Sequence, residues 1–104
     1  MELSEMNLHF DAAGFLTDAT LWNEEVSTAV AKFDGIGPLR EAHWQIIRQL
    51  RHGWLDHRAL PAVSHVCHTV GKEPHCLDDL FNGMREAWRV AGLPDPGEEA
   101  RSYM

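Results

Sequence analysis

The stretch from Arg40 to Arg58 carries Trp44, Ile47, Leu50 and Trp54 at steps of three and four residues, the spacing that lines up one face of an α-helix. Two tryptophans on one face offer the largest side-chain areas for burial. Other segments are therefore expected to pack against this central helix, with Trp44 and Trp54 as buried anchors. Arg48, Gln49, Arg51, Asp56 and Arg58 fall on the other side and are expected to meet water. Gly37-Pro38 suits the helix start, and Gly53 predicts a bend or a close approach inside it.

The flanking segments read as shorter elements that cover this helix. Leu8 and Phe10 alternate, and Asp11-Ala-Ala-Gly14 separates Asn7-Leu-His-Phe10 from Phe15-Leu16, which predicts a short β-hairpin that must rest on the helices. Asp18 offers an N-cap for a helix whose apolar stripe is Trp22, Val26, Ala29, Val30 and Phe33, with Asn23, Glu24, Glu25, Ser27 and Lys32 on its polar side. Asp34-Gly35 ends it. Beyond the central helix, Pro61 opens a short helix with the stripe Val63, Val66, Cys67 and Val70, broken by Gly71-Lys-Glu-Pro74. Leu77, Leu80, Phe81, Met84, Trp88 and Ala91 form the last stripe, as one helix bent at Asn82-Gly83 or as two that abut there. Gly92 and Pro94 end it. The tail from Asp95 to Met104 has almost no apolar content before Tyr103 and is expected to be mobile.

Composition narrows the function classes. The chain has 16 acidic against 9 basic residues, a net charge of −7, and nucleic-acid binding rests on Lys and Arg neutralising phosphates. A general DNA or RNA binder is disfavoured. No apolar run approaches a membrane span and Met1-Glu-Leu-Ser-Glu lacks signal-peptide order, so the cytoplasm is the default location and membrane association is not expected. Two cysteines without a signal read as reduced thiols.

Seven histidines among 104 residues oblige a metal site to be weighed. His65, Cys67, His68, His75 and Cys76 cluster, and nitrogen with thiolate suits a transition metal. Against this, Cys67 lies on the apolar stripe, away from His65, and no Cys-x-x-Cys or His-Glu-x-x-His spacing occurs. The expectation is no metal and no cofactor. Cys76 is the candidate reactive thiol, because it stands where a helix begins and unpaired N–H groups there favour a thiolate; a cysteine merely packed at a helix start is the plainer alternative.

Read from hairpin to tail, the chain resembles the DsrC/TusE family of sulfur-relay proteins, which includes the gamma subunit of dissimilatory sulfite reductase. The matching residues are Gly14-Phe15-Leu16-x-Asp18, Trp22, Glu25, Gly35-Ile36, His43-Trp44-x-x-Ile47, Leu50-Arg51, Pro61, Leu80-Phe81 and Ala91-Gly-Leu-Pro-x-Pro96. The resemblance implies one mainly helical domain over residues 1–104: a small bundle with an N-terminal β-hairpin and a flexible C-terminal arm, mobile from about residue 97. Family members carry sulfur on an arm cysteine that reaches into partner proteins. In this chain that slot holds Glu99, and the second cysteine position of the sulfite-reductase branch holds Trp88. The segment from Pro61 to Leu80 is also shorter, and the usual proline-glycine-proline turn after Leu80-Phe81 is missing. The resemblance with these departures implies a non-catalytic regulatory or docking relative that keeps Gly92, Leu93, Pro94, Pro96 and Glu99 as a docking arm for a sulfur-relay or sulfite-reductase-type partner. The alternatives are a persulfide carrier that uses Cys76, and a small helix-turn-helix DNA-binding regulator.

Overall fold

The computed structural model describes residues 10, 11, 13–57 and 63–102. Among the described residues, one 3-10 turn, Ala19–Leu21, precedes six α-helices: α1 (Glu24–Phe33), α2 (Glu41–His57), α3 (Val63–Thr69), α4 (Cys76–Phe81), α5 (Met84–Val90) and α6 (Glu98–Arg101). The central helix α2 packs on α3, α4 and α5, while α1 lies on α5. Two helices therefore share the middle of the core, α2 and α5.

The described residues contain no strand; the expected hairpin is reduced to one antiparallel bridge, Phe10 to Leu16, and residues 7–9 of its first arm lie outside them. Asp11 builds the turn, its carboxylate accepting the N–H groups of Ala13 and Phe15 at 2.9 and 3.0 Å. Phe15 and Leu16 are both buried, unlike a half-exposed strand, which sends successive side chains to opposite faces. Helix α5 grips this turn: Arg85 donates to Ala13 O at 2.6 Å and Arg89 Nε to Gly14 O at 2.9 Å. Arg89 also pairs with the buried side chain of Asp34.

Helix α1 starts later than the sequence pattern predicts. Asp18 caps the 3-10 turn, accepting Thr20 N–H at 2.9 Å, and Asn23 caps α1 itself through Val26 N–H at 3.0 Å. Trp22 lies before the helix, so the inward face is Val26, Ser27, Val30 and Ala31. Phe33, expected inside, is 67% exposed. Ser27, expected outside, is fully buried because its hydroxyl is satisfied from two sides (below). The last apolar stripe divides into α4 and α5 at Asn82 and Gly83, the second of the two arrangements the pattern permits.

The central helix is present but rotated. Its buried side chains are His43, Ile46, Ile47 and Leu50; Trp44 and Trp54 are half-buried on the flanks of the core cluster. Helices on several sides of α2 bury a broad sector, and the long indole rings reach it from the edges. No close approach occurs at Gly53, which lies in continuous helix with open space where a Cβ would stand. The helix also begins beyond Pro38, at Glu41, and the carbonyl of Arg40 just before it accepts Trp44 N–H at 3.1 Å.

His43 occupies the third position of α2 and reaches back: its Nδ1 accepts Arg40 N–H at 3.0 Å, the role a glutamate plays in a capping box. Nε2 then donates to Leu80 O, also at 3.0 Å, tying α2 to the end of α4. The ring meets Phe81 edge-on at 5.2 Å. Burial pushes the imidazole pKa down, only partly offset by the Leu80 carbonyl, and the Arg40 charge adds to the lowering. A histidine depressed in the folded state binds fewer protons than in the unfolded chain. Its contribution to stability is present above about pH 6.5 and lost as the pH falls from there through the folded value. An NMR titration should find His43 ionising below the ordinary histidine range, with unfolding free energy declining over that window. The decline should shrink in a His43→Gln variant.

Candidate functional site

The last turn of α5 and the segment after it form the root of the C-terminal arm. Gly92 N–H bonds Arg89 O at 3.0 Å and Leu93 N–H bonds Trp88 O at 3.4 Å, the paired pattern of a Schellman helix end. Gly92 has φ +69, and a Cβ there would overlap the Trp22 indole, lying only 2.7 Å from its Cγ. Glycine is required twice over, by backbone conformation and by contact.

Arg51 closes the root from α2. Its Nη1 donates to Ala91 O and Gly92 O at 2.9 and 3.1 Å, and Nη2 to Ala19 O at 3.0 Å. The guanidinium also lies 4.3 Å from the centroid of the Trp22 ring, an arrangement the planar arginine fork supports and a lysine does not. Expected on the water side of α2, Arg51 is instead half-buried, with its pKa lowered by that burial. The polar chain continues inward: Trp22 Nε1 donates to Ser27 Oγ at 2.6 Å, and Ser27 Oγ donates to Val90 O at 2.5 Å. Carbonyls that a helix end leaves unpaired are thus met by side chains from two other elements.

This geometry sorts the arm residues. Gly92 and Leu93 are buried, so they anchor the arm and present no surface. Pro94 and Pro96 are half-buried and Glu99 is exposed. Trp88 is fully buried; its Nε1 donates to Pro94 O at 2.8 Å and its ring meets Trp54 edge-on at 5.5 Å. Asp95 accepts Gly97 N–H at 2.9 Å and pairs with Arg101 at 3.3 Å. Residues 98–101, expected to belong to a mobile tail, form the short helix α6; residues 103 and 104 lie outside those described.

The cysteines overturn the expectation of reduced thiols: Cys67 and Cys76 are joined in a disulfide. Helices α3 and α4 pack on each other and bring together two residues that sequence separation alone left unpaired. Both are buried, and a sulfur held in a disulfide is no free thiolate, which removes Cys76 as a ready nucleophile in this state. His65, His68 and His75 are exposed around the bridge, and no group of three His, Cys, Asp or Glu able to hold a metal converges among the described residues. No described helix is long and apolar enough to cross a membrane.

Arg51, Ser27 and His43 are the site-building residues that periodicity misses. Ser27 left no signal beyond a polar side chain beside the apolar Val26, whereas Arg51 and His43 stand among the residues that carry the family resemblance. The residues that carry the family resemblance, Trp22, Arg51 and Ala91-Gly-Leu-Pro94, converge on the arm root.

A family model described as DsrC like protein matches residues 2–98. Sulfurtransferase TusE of Sodalis glossinidius is 32% identical over 105 residues, covering 92% of this chain and 96% of the relative. The Pectobacterium atrosepticum sulfurtransferase TusE is 30% identical, covering 92% and 95%. The crystal structure of the oxidised gamma-subunit of the dissimilatory sulfite reductase (DsrC) from Archaeoglobus fulgidus aligns with a TM-score of 0.70 at 32% identity, covering 85% of this chain and 88% of that one. Sequence and fold agree, and the chain belongs to the DsrC/TusE family of sulfur-relay proteins.

Proposed function

We propose that this protein docks on a sulfur-relay or sulfite-reductase-type partner without itself carrying sulfur. The observation that carries the reading is the absence of a free thiol: the chain has two cysteines, both in one buried bridge. A persulfide grows on a thiolate, and a carboxylate cannot form one. Glu99 stands exposed where the family resemblance puts the carrier cysteine, and Trp88 fills the second slot as a core residue.

Support for docking comes from the arm root. Gly92 and Leu93 are locked into the core, and Pro94 and Pro96 stiffen the chain leading to Glu99, which lowers the ordering cost of binding. The Glu99 carboxylate supplies the negative charge of a thiolate at the arm, the property of a dead-end ligand for a carrier's pocket.

Incubation with a sulfur donor should leave the intact mass unchanged, while the protein competes with a cysteine-bearing family member for its partner. Glu99→Cys should gain one sulfur atom on the arm, read by peptide mapping, with the fold unaltered because the site is exposed. A sulfur adduct on Cys76 of the parent chain, passed to an acceptor, would replace this reading with a relocated carrier. Neither adduct nor competition would mean that the arm has no partner.

A further inference from the structure

We infer that the Cys67–Cys76 disulfide is a redox latch on α3, whose reduction frees residues 63–75 while the rest of the core holds. Among its described side chains, α3 contributes only Val66 and Cys67 to the core, with Val70 partly buried just beyond it. A seven-residue helix is far below the length that sustains itself in water, so tertiary contacts and the bridge hold it in place. The connection to α4 is polar and open: His68, Thr69 and Gly71 to His75 are exposed. Opening this segment therefore uncovers little apolar surface, and such segments lie at the low end of local stability.

The neighbours of the latch are held by other means. Helix α4 keeps Leu77 and Phe81 buried and is tied to α2 through His43 and Leu80 O. Helices α1, α2 and α5 are cross-linked through Ser27, Arg51 and Arg89, none of which contacts α3 through these bonds. An open groove of about 630 Å³ lies between Gln45, Arg48, Gln49 and His52 of α2 and Thr69 to Gly71 at the end of α3. Its second wall is the segment the bridge restrains.

The reductant is a dithiol. Its first thiolate attacks one bridge sulfur to form a mixed disulfide, and the other cysteine leaves as a thiolate that takes a proton. The second thiol of the reductant then displaces the first cysteine and closes its own disulfide. The bridge gains two electrons and two protons, and the dithiol loses them. Both protein sulfurs are buried, so exchange proceeds through the open form of the segment.

Hydrogen exchange read by mass spectrometry on the whole protein, oxidised and then treated with dithiothreitol, tests this. Peptides across residues 63–75 should exchange about tenfold faster after reduction, those of α1 and α5 should change little, and reoxidation should restore the pattern. The variant Cys67→Ala/Cys76→Ala should give the reduced pattern with or without dithiothreitol. Unchanged exchange at 63–75 after reduction confirmed by mass would overturn the latch. So would equal loss of protection in α1 and α5, or a bridge that dithiothreitol leaves intact under native conditions, either of which makes the disulfide a staple of the fold.

Discussion

Trp88→Ala is expected to lower the unfolding free energy by about 4 kcal/mol, the cost typical of deleting a large buried aromatic side chain. The ring is fully buried between Trp54 and the arm root, and its indole N–H satisfies Pro94 O at 2.8 Å. Truncation leaves a cavity and an orphaned carbonyl. It also removes the ring neighbour of Trp54, whose own buried Nε1 lacks a partner. Trp88→Phe keeps most of the apolar area and loses the hydrogen bond, so it should cost roughly 1–2 kcal/mol. Urea denaturation should show a lower midpoint for both, in that order, with a similar slope. A loss below about 1 kcal/mol for Trp88→Ala would mean that the arm root is not packed as described. The same numbers bear on function. A cysteine at this position would remove a core side chain, so a thiol placed there should come with a large loss of stability.

Gly92→Ala should cost about 3 kcal/mol, from two sources that a control separates. The first is the left-handed backbone, φ +69, which costs a residue with a Cβ roughly 1–2 kcal/mol. The second is the overlap with the Trp22 indole, which must move although its N–H is held by Ser27 and its face by Arg51; overpacking of this kind costs typically 1–3 kcal/mol. Gly35 also ends a helix with positive φ, +78, but nothing lies within 4 Å of a Cβ built there. Gly35→Ala should therefore show the backbone cost alone. Equal losses at the two positions would mean that Trp22 yields freely and does not lock the arm. A larger loss at Gly92, accompanied by a change in tryptophan emission, would place the lock where the geometry has it.

Local features were legible in the sequence. The helix end at Gly35, the break at Gly71 and the end at Gly92 all stand where expected, each with the paired backbone bonds of a Schellman motif. The long amphipathic stretch after Arg40 does form the central helix. These readings succeed because caps and apolar periodicity act over a few residues and leave a mark within them. Tertiary structure alone decided which sector of each helix turns inward and what its polar side chains meet. Arg51 and Ser27 read as solvent-facing until the carbonyls of Ala91, Gly92 and Val90, 40, 41 and 63 residues away, are brought to them. Phe33 reads as core until the turn after α1 leaves it facing water. The pairing of Cys67 with Cys76 likewise depends on two short helices packing side by side. The physical reason is common to all of them. A polar group is stable in the interior only when a partner arrives, and long-range partners are set by the packing of the whole chain.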